Sequence, residues 1–250
     1  MAKLFSSFNA TRALGEVGVI VLGVLIALGV DQWRERRQED SLELQYLRNL
    51  TTDVQQDLAR IDVLEGRTWN RVVGATRLLD ELGEDSSIGE NQPELCGRSL
   101  DELRAAVADM TLATAVSQAG RVFILDTSSP TFDELRSTGH LRLIRNAELK
   151  RSIAEYYRAV EGSHFVDGHQ QLVVWTEYQG LLTDNGIAVF DTRTSEDVDL
   201  STRLRRIPNI ATMVRRVRSI FGVQATYTYP LRVQAAELLA AIDTEIATRW

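Results

Sequence analysis

The chain has little cysteine, lysine or histidine, and the shortages of cysteine and histidine each exclude a kind of site. Cys96 is its one cysteine, which excludes an intramolecular disulfide framework and a metal site built from several thiolates. Lys3 and Lys150 are the only lysines, so arginine carries nearly all of the positive charge. The 28 basic residues are outnumbered by 35 acidic ones, for a formal net charge of −7. Because nucleic-acid binding needs a basic face, this balance predicts no nucleic-acid partner.

The sequence also lacks the motifs of common catalytic sites. Its glycines do not fall in the patterns of phosphate-binding loops, dinucleotide-binding turns or nucleophile elbows. The histidines His140, His164 and His169 are too few for a metal site, and the last two miss the four-residue spacing of helical zinc sites. We therefore predict no catalytic residue, no metal and no cofactor, and favour a protein that is not an enzyme.

One apolar run stands out against the charged remainder of the chain. From Val17 to Val30 every residue is apolar or glycine, and helix on either side would extend this run to the roughly 20 residues that a bilayer core requires. We predict a short tail over residues 1–12 and a single transmembrane helix over residues 13–33. This helix would be the membrane anchor of the protein, in contact with lipid.

A cleaved signal peptide is the alternative interpretation of the same run. Lys3 and Arg12 would supply its basic region, and Ala27-Leu28-Gly29 its small-residue cleavage site. Glu16 would then stand at the mouth of the hydrophobic region, which favours an anchor that is kept.

The predicted anchor carries residues suited to contacts with another helix. Helix association in lipid depends on close packing, which small residues allow. The candidates are Gly15, Gly18, Gly23, Ala27 and Gly29. Glu16 either pairs with Arg12 one turn earlier or makes a polar contact with a neighbouring subunit's helix.

The stretch after the anchor is predicted to continue the same helix. Trp33 stands where an interfacial aromatic residue belongs, and the charged residues Arg34, Arg36 and Arg37 suit the headgroup region. No glycine or proline interrupts the chain before Gly66, a candidate bend. Apolar residues at spacings of three and four predict one buried face along this helix: Leu47, Leu50, Val54, Leu58, Ile61 and Leu64.

Residues 34–250 are predicted to form one extramembrane domain, so the fold class is all-α with an irregular helical bundle after the long helix. Gly83 is placed to end that helix. Ser99 with Glu102 forms a capping box that opens a helix to about Ser117. Thr131 with Glu134 forms a second box, and Asn146 is predicted to cap the following helix.

Other breaks are predicted from composition. Gly162 would separate two helices, Pro208 would start one, and Pro230 would divide two more. Residues 84–97 and 187–206 are interpreted as irregular. The run from Arg121 to Leu125 is either a short strand or a buried helical turn.

Three stretches resemble a bacterial family of membrane-anchored proteins, catalogued as domain of unknown function 6090. Residues 15–33 are similar to its Gly-Glu-Ile…Gly-Ile-Leu-Ile-Ala-Leu-x-Val-x-x-Trp anchor. Residues 131–146 are similar to Thr-Tyr-x-Glu-Leu-x-Ser-Ser-Gly-x-Leu-x-Leu-Ile-x-Asn, and the pair Tyr156-Tyr157 follows. Phe132 replaces the usual tyrosine, and the N-terminal tail is less basic than in the family. The resemblance implies a single-pass protein of the bacterial inner membrane with a periplasmic domain, and supplies no catalytic residue.

The segment from Thr131 to Asn146 is a candidate functional or structural segment. Its distinctive residues are Thr131, Asp133, Glu134, Arg136, Gly139 and Asn146. Adjacent carboxylates invite an acid/base role, but neighbours in a helix point about 100° apart and the glycine and capping residues suit helix ends. The interpretation favoured here is a structural turn and cap.

We expect an accessory subunit that packs on and stabilises a larger membrane complex through its transmembrane helix and its helical domain. Its partners would be membrane lipid and other transmembrane subunits. A ligand-binding or sensory helical module is the first alternative, so a small-molecule ligand is not excluded. A hydrolase-like enzyme that uses carboxylates is the second. A buried polar cavity holding two or more of Asp133, Glu134, Arg136 and Arg145 would favour either alternative.

Overall fold

A computed structural model describes residues 10–86, 95–127, 129–168, 170–190 and 199–250, with the backbone alone described at 10–20 and 164–168. Regular structure in these ranges is helical, which confirms the predicted all-α class. The α-helices are α1 Ala10–Leu82, α2 Leu100–Asp109, α3 Leu112–Ala119, α4 Pro130–Ser137, α5 Ala147–Gly168, α6 Gln170–Asp184, α7 Leu200–Arg206 and α8 Ile210–Arg249. A short 3-10 helix, His140–Leu143, follows α4.

Helix α1 is one continuous helix of 73 residues, about 110 Å long at 1.5 Å per residue. The predicted continuity from the apolar run into the domain is confirmed, and Gly66 does not interrupt it. The helix ends as predicted at Gly83, whose φ of +72° is a left-handed conformation that glycine adopts without strain. The N–H groups of Gly83 and Glu84 donate to the carbonyls of Asp80 and Leu79, which satisfies the last turn.

Over the residues described, no helix combines the length and the apolar composition of a membrane span. The transmembrane helix over residues 13–33 therefore stays a prediction.

The long helices α1 and α8 pack antiparallel along the whole bundle. Ion pairs mark their register: Arg215 lies 2.6 Å from Glu84 at one end, and Arg232 lies 2.8 Å from Glu65 near the middle. At the other end Arg249 contacts Glu43. The C-terminal end of α8 thus lies at the end of the bundle from which the N-terminal part of α1 projects.

Helix α1 serves two hydrophobic cores in succession. Its residues from Tyr46 to Leu64 pack with α4, α5 and the second half of α8. Its residues from Trp69 to Leu79 pack with α2, α3, α6, α7 and the first half of α8. The buried face predicted from Leu47 to Leu64 is confirmed except at Leu58, which is partly buried.

A buried polar layer lies between the two cores. Arg71 is fully buried, and its guanidinium donates to the Thr68 hydroxyl at 2.9 Å and to the amide oxygen of Gln224. It also lies 4.4 Å from the ring centroid of Phe221 and 5.4 Å from that of Phe123. Aromatic faces and amide oxygens both stabilise a buried guanidinium, so this layer fixes the register of α1 against α8.

One predicted helix end and one predicted helix start differ from the observed ones. The box of Ser99 and Glu102 is confirmed, but the helix it opens ends at Asp109, and Thr111 caps a separate helix, α3. The predicted box of Thr131 and Glu134 is wrong. Helix α4 begins at Pro130 after Ser129, so Thr131 lies inside the first turn and its side chain is buried.

Several predicted breaks are wrong because packing overrides local preference. Helix α5 continues through Gly162 to Gly168, and α8 continues through Pro230. A proline inside a helix loses one backbone hydrogen bond and its ring clashes with the preceding turn, which costs about 3 kcal/mol. The burial of neighbours of Pro230, such as Thr228 and Leu231, offsets this cost.

The remaining interpretations of connecting segments have mixed outcomes. The segment 187–206, predicted to be irregular, contains helix α7 at its end. Three ranges covered by predictions lie outside the described residues: 1–9 of the tail, 87–94 of the first loop and 191–198. Helix α8 begins at Ile210, two residues after Pro208. Residues 121–127 form neither a strand nor a helical turn.

Candidate functional site

A row of polar side chains on α1 holds the segment 130–157 against the bundle. Glu43, Tyr46, Asp53 and Asp57 follow one another at spacings of three, seven and four, so they share one side of the helix. The apolar pattern of α1 does not predict this row, because its members are polar or charged. The helical spacing of Glu43, Asp53 and Asp57 is the feature of the sequence from which this polar row could be predicted.

Asp53 caps helix α4 from another helix. Its carboxylate accepts a hydrogen bond of 3.1 Å from the backbone N–H of Thr131, in the first turn of α4. The first N–H groups of a helix have no partner within the helix, and the helix dipole favours a negative charge there. Asp53 therefore performs the task that the sequence assigned to Thr131 itself.

Tyr46 links two residues of the candidate segment. Its hydroxyl donates to Glu134 Oε1 at 2.8 Å and lies 2.8 Å from His140 Nδ1. Burial, followed by the hydrogen bond to Glu134, raises the pKa of Tyr46. Gly139 allows this pairing because its φ of +72° turns the chain between α4 and the 3-10 helix.

Glu43 joins three parts of the chain at the same end of the bundle. Its buried carboxylate accepts two hydrogen bonds from Arg249, at 2.8 and 2.9 Å, and one from the backbone N–H of Arg145 at 2.9 Å. The hydrogen bond to Glu43 is the first cause of the raised pKa of Arg249. Arg145 also forms an ion pair with Asp40 of α1. This end of the bundle is therefore held by charge-assisted bonds as well as by apolar packing.

Asn146 caps α5, as the sequence predicts, and connects it to α8. Its side-chain oxygen accepts from the N–H groups of Glu148 and Leu149, at 3.0 and 3.1 Å. Its side-chain nitrogen donates to Glu245 at 2.7 Å. This bond, followed by the one from Arg249, lowers the pKa of Glu245.

The adjacent tyrosines of α5 differ in their partners. Tyr156 donates to the buried carboxylate of Asp57 at 3.1 Å. Tyr157 is also buried and stacks on Phe132 at a centroid distance of 4.4 Å, but its hydroxyl has no hydrogen-bond partner among the described residues. Burial is the first cause of the raised pKa of both hydroxyls.

The charged residues proposed for acid/base chemistry are not gathered into a buried site. Asp133, Glu134, Arg136 and Arg145 are all exposed. Asp133 lies 3.8 Å from Arg136 and accepts from the Ser129 hydroxyl at 3.0 Å. The condition that would favour a ligand-binding module or a hydrolase is therefore not met at these residues.

No group of three histidine, cysteine, aspartate or glutamate side chains suited to a metal ion occurs in the described part of the chain. Cys96 is buried, and burial raises the pKa of its thiol to about 12. Because the thiolate is the reactive form, Cys96 does not have the properties of a catalytic nucleophile. His164 and His169 lie outside the residues whose side chains are described.

A surface groove of about 710 Å³ lies between α5 and α8. Tyr156 and Leu238 form its buried floor, while Glu155, Arg158 and Glu237 on its walls are exposed. Enclosed apolar pockets are typical of small-molecule sites, so the polar walls of this groove do not indicate one.

The part of α1 that precedes the bundle projects from it, and its apolar side chains are uncovered wherever side chains are described, from Val21 onward. Every residue from Val21 to Gln38 is exposed. The large apolar residues among them are between 51% and 59% exposed, on all sides of the helix: Val21, Leu22, Val24, Leu25, Ile26, Leu28, Val30 and Trp33. They are half of the 16 exposed large apolar residues in the described chain. We call residues 21–33 the apolar segment.

The residues predicted to pack against another helix lie in this projecting part of α1. Nothing stands within 4 Å of the position that a side chain would take at Gly23 or Gly29, and Ala27 is exposed. Trp33, Arg34, Arg36 and Arg37 are exposed too. Gly15, Glu16 and Gly18 belong to α1, but their surroundings lie outside the described set.

Comparison of the chain with protein-family models, with curated proteins and with solved structures finds no match.

Proposed function

We propose that the protein is an accessory subunit, anchored in a membrane by the N-terminal part of α1, that packs on and stabilises a larger membrane protein complex. The anchor would be a single transmembrane helix over residues 13–33, in contact with lipid and with other transmembrane subunits. The membrane would be the bacterial inner membrane with the domain on the periplasmic side, as the family resemblance implies. The protein would have no catalytic role.

The observation that carries this proposal is the exposure of the apolar segment. A globular protein rarely leaves eight large apolar side chains uncovered along one stretch of helix, because burying each of them is worth about 1.5–3 kcal/mol. Apolar side chains on every side of a helix are typical of a helix surrounded by lipid or by other helices.

The rigid connection between the apolar segment and the domain supports the same proposal. Helix α1 has no break between residue 10 and residue 82, and the contacts of Glu43 and Tyr46 fix it to the bundle shortly after residue 38. A subunit that contacts its complex both within the membrane and above it needs a fixed geometry between the two contacts. A continuous helix supplies this geometry, whereas a flexible linker would not.

The test is purification of the tagged full-length chain from native membranes in a mild detergent, followed by identification of the proteins that co-purify. We expect the same partner subunits in repeated preparations and their loss when Leu22, Leu25 and Ile26 are replaced by serine. Recovery of the chain as a lone monomer would contradict the proposal. The ligand-binding module and the carboxylate-using hydrolase remain predictions from the sequence.

A further inference from the structure

The stretch of α1 from residue 31, near the end of the apolar segment, to residue 39 carries its acidic and basic residues on different sides. Trp33 and Arg37 are one turn apart, and Arg34 lies beside them, since successive residues of a helix turn by roughly 100°. The acidic residues Asp31, Glu35 and Glu39 follow one another at spacings of four, so they form a row on a different side. We call Trp33, Arg34 and Arg37 the basic–aromatic face.

Among the described residues, no carboxylate pairs with the guanidinium groups of this face. Arg37 lies 4.8 Å from the ring centroid of Trp33, and neither Arg34 nor Arg37 forms an ion pair with any described residue. Some exposed arginines of the described chain find partners, as Arg215 does in Glu84, and others, such as Arg48, do not, so the position beside Trp33 at the end of the apolar segment is what distinguishes this face. Two exposed guanidiniums without counter-charge, beside an exposed tryptophan, are suited to an anionic partner from outside the chain.

We infer that the basic–aromatic face binds the headgroups of anionic phospholipids. This inference rests on the proposed function, because it assumes that the apolar segment lies in a bilayer. The face then begins where the hydrocarbon ends, at the level of the lipid phosphates. Tryptophan is favoured at this depth, and a guanidinium forms paired hydrogen bonds to phosphate oxygens. A headgroup with a net negative charge fits better than a zwitterionic one, because it brings no ammonium group next to Arg34 and Arg37.

The position of the face favours lipid over an acidic protein surface. It begins at Trp33, the last residue of the apolar segment, whereas the first buried residue of α1 in the bundle occurs later, at Glu43. An acidic protein partner would use the same guanidiniums but would not need them at the end of an apolar helix next to a tryptophan.

The test uses the full-length chain in lipid nanodiscs of phosphatidylcholine with a minor fraction of phosphatidylglycerol. After mild transfer to detergent, mass spectrometry counts the lipids that stay bound. We expect phosphatidylglycerol to be enriched over phosphatidylcholine, and Arg34→Gln with Arg37→Gln to reduce this preference about fivefold for each guanidinium removed. Glu35→Gln, on the acidic side, should keep the preference or raise it.

Arg48→Gln is the matched control. It removes an exposed guanidinium from the same helix, roughly 16 Å farther along, where a surface charge is largely screened from the headgroups. An unchanged lipid preference in the Arg34/Arg37 variant would overturn the inference. If that variant instead loses a co-purifying subunit at unchanged lipid preference, the face binds an acidic protein surface and the inference also fails.

The outcome separates this inference from the proposed function. A chain that alkaline carbonate washes from native membranes is not an integral membrane protein, which would contradict the proposed function. A chain that resists the wash but shows no preference for phosphatidylglycerol contradicts only the headgroup inference.

Discussion

Arg249 donates two hydrogen bonds to the carboxylate of Glu43, although the two residues are 206 positions apart in the sequence. Glu43 is 1% exposed at its side chain and Arg249 is 26% exposed. The pair therefore joins the last turn of α8 to α1 at the point where α1 leaves the bundle. Its two members do not have equal access to water, so their removal has different costs.

We predict that Arg249→Gln destabilises the domain more than Glu43→Gln does. Removing Arg249 leaves the buried carboxylate with only the more distant guanidinium of Arg145, at 3.9 Å, as a described cation, a change that costs about 3 kcal/mol. Removing the charge of Glu43 leaves a guanidinium that reaches water and still pairs with Glu245 at 2.8 Å, so about half that loss is expected. Urea unfolding monitored by circular dichroism measures the free energy of unfolding of both variants.

Arg215→Gln is the control for this pair. It breaks the ion pair with Glu84, in which both side chains are 40% exposed or more, so a loss below about 1 kcal/mol is expected. Equal losses for Arg249→Gln and Arg215→Gln would show that burial of Glu43 has no effect on the strength of its pair.

The adjacent tyrosines of α5 give a second prediction. Tyr156→Phe should destabilise the domain by about 1–3 kcal/mol, because the buried carboxylate of Asp57 loses a hydrogen bond of 3.1 Å. Tyr157→Phe removes a hydroxyl that has no partner among the described residues, so it should leave the free energy of unfolding unchanged or raise it slightly. Thermal and urea unfolding of the two variants measure the difference. A large loss for Tyr157→Phe would mean that an ordered water or another group binds its hydroxyl.

The lowered pKa of Glu245 predicts the pH dependence of stability in acid. Its pKa in the folded protein lies below the ordinary glutamate value of 4.5, because Asn146 and Arg249 donate to the charged form. Its contribution is therefore complete above about pH 4.5 and is lost as the pH falls through the lower folded value. The free energy of unfolding, measured from pH 7 to pH 3, should fall less steeply below pH 4.5 in Glu245→Gln than in the natural sequence.

Asn146→Ala checks the cause of that pKa shift. It removes the first donor to Glu245, so the fall in stability below pH 4.5 should also become shallower. Because Asn146 also caps α5, this variant is less stable at every pH. The informative quantity is therefore the slope of the unfolding free energy against pH below pH 4.5. A slope equal to that of the natural sequence would mean that Asn146 does not shift the pKa of Glu245.

The continuous helix gives a prediction about assembly. A short Gly-Ser insertion after Gln38, in the exposed part of α1, should weaken co-purification with the partner complex while the domain stays folded. A helical insertion of seven residues is the control, since two turns of helix restore the orientation to within about 20°. The control should retain more of the complex than the flexible insertion. Equal retention would show that stiffness of the connection is not needed.

The features predicted correctly from the sequence are those that local chemistry decides. The continuity of α1 between residues 30 and 65 follows from the lack of glycine and proline there, its end from Gly83, and the start of α2 from the box of Ser99 and Glu102. These signals need only residues a few positions apart. Asn146 belongs to the same group, because its capping bonds lie within the next three residues.

The features that were missed depend on residues distant in the chain. The start of α4 depends on a cap from Asp53, 78 residues away. Helix α8 continues through the exposed Pro230 because its neighbours Thr228 and Leu231 are buried, which local sequence does not show. The partners of Tyr46 and Glu43 could not be predicted from the helical spacing of residues. That spacing tells on which side of a helix a residue lies, but not which part of the chain packs against that side. Membrane insertion and partner identity depend on contacts outside the chain and stay predictions.

The antiparallel pairing of α1 with α8 also sets the order of events during synthesis. The ribosome makes Glu43 206 residues before Arg249, a delay of roughly 10–40 s at about 5–20 residues per second. Throughout that time the apolar face of α1 between Tyr46 and Leu79 lacks its partner helix α8 and is accessible to chaperones and proteases. The domain therefore closes only after α8 has been made, and a chain that stops short of α8 would present both half-built cores to chaperones and proteases.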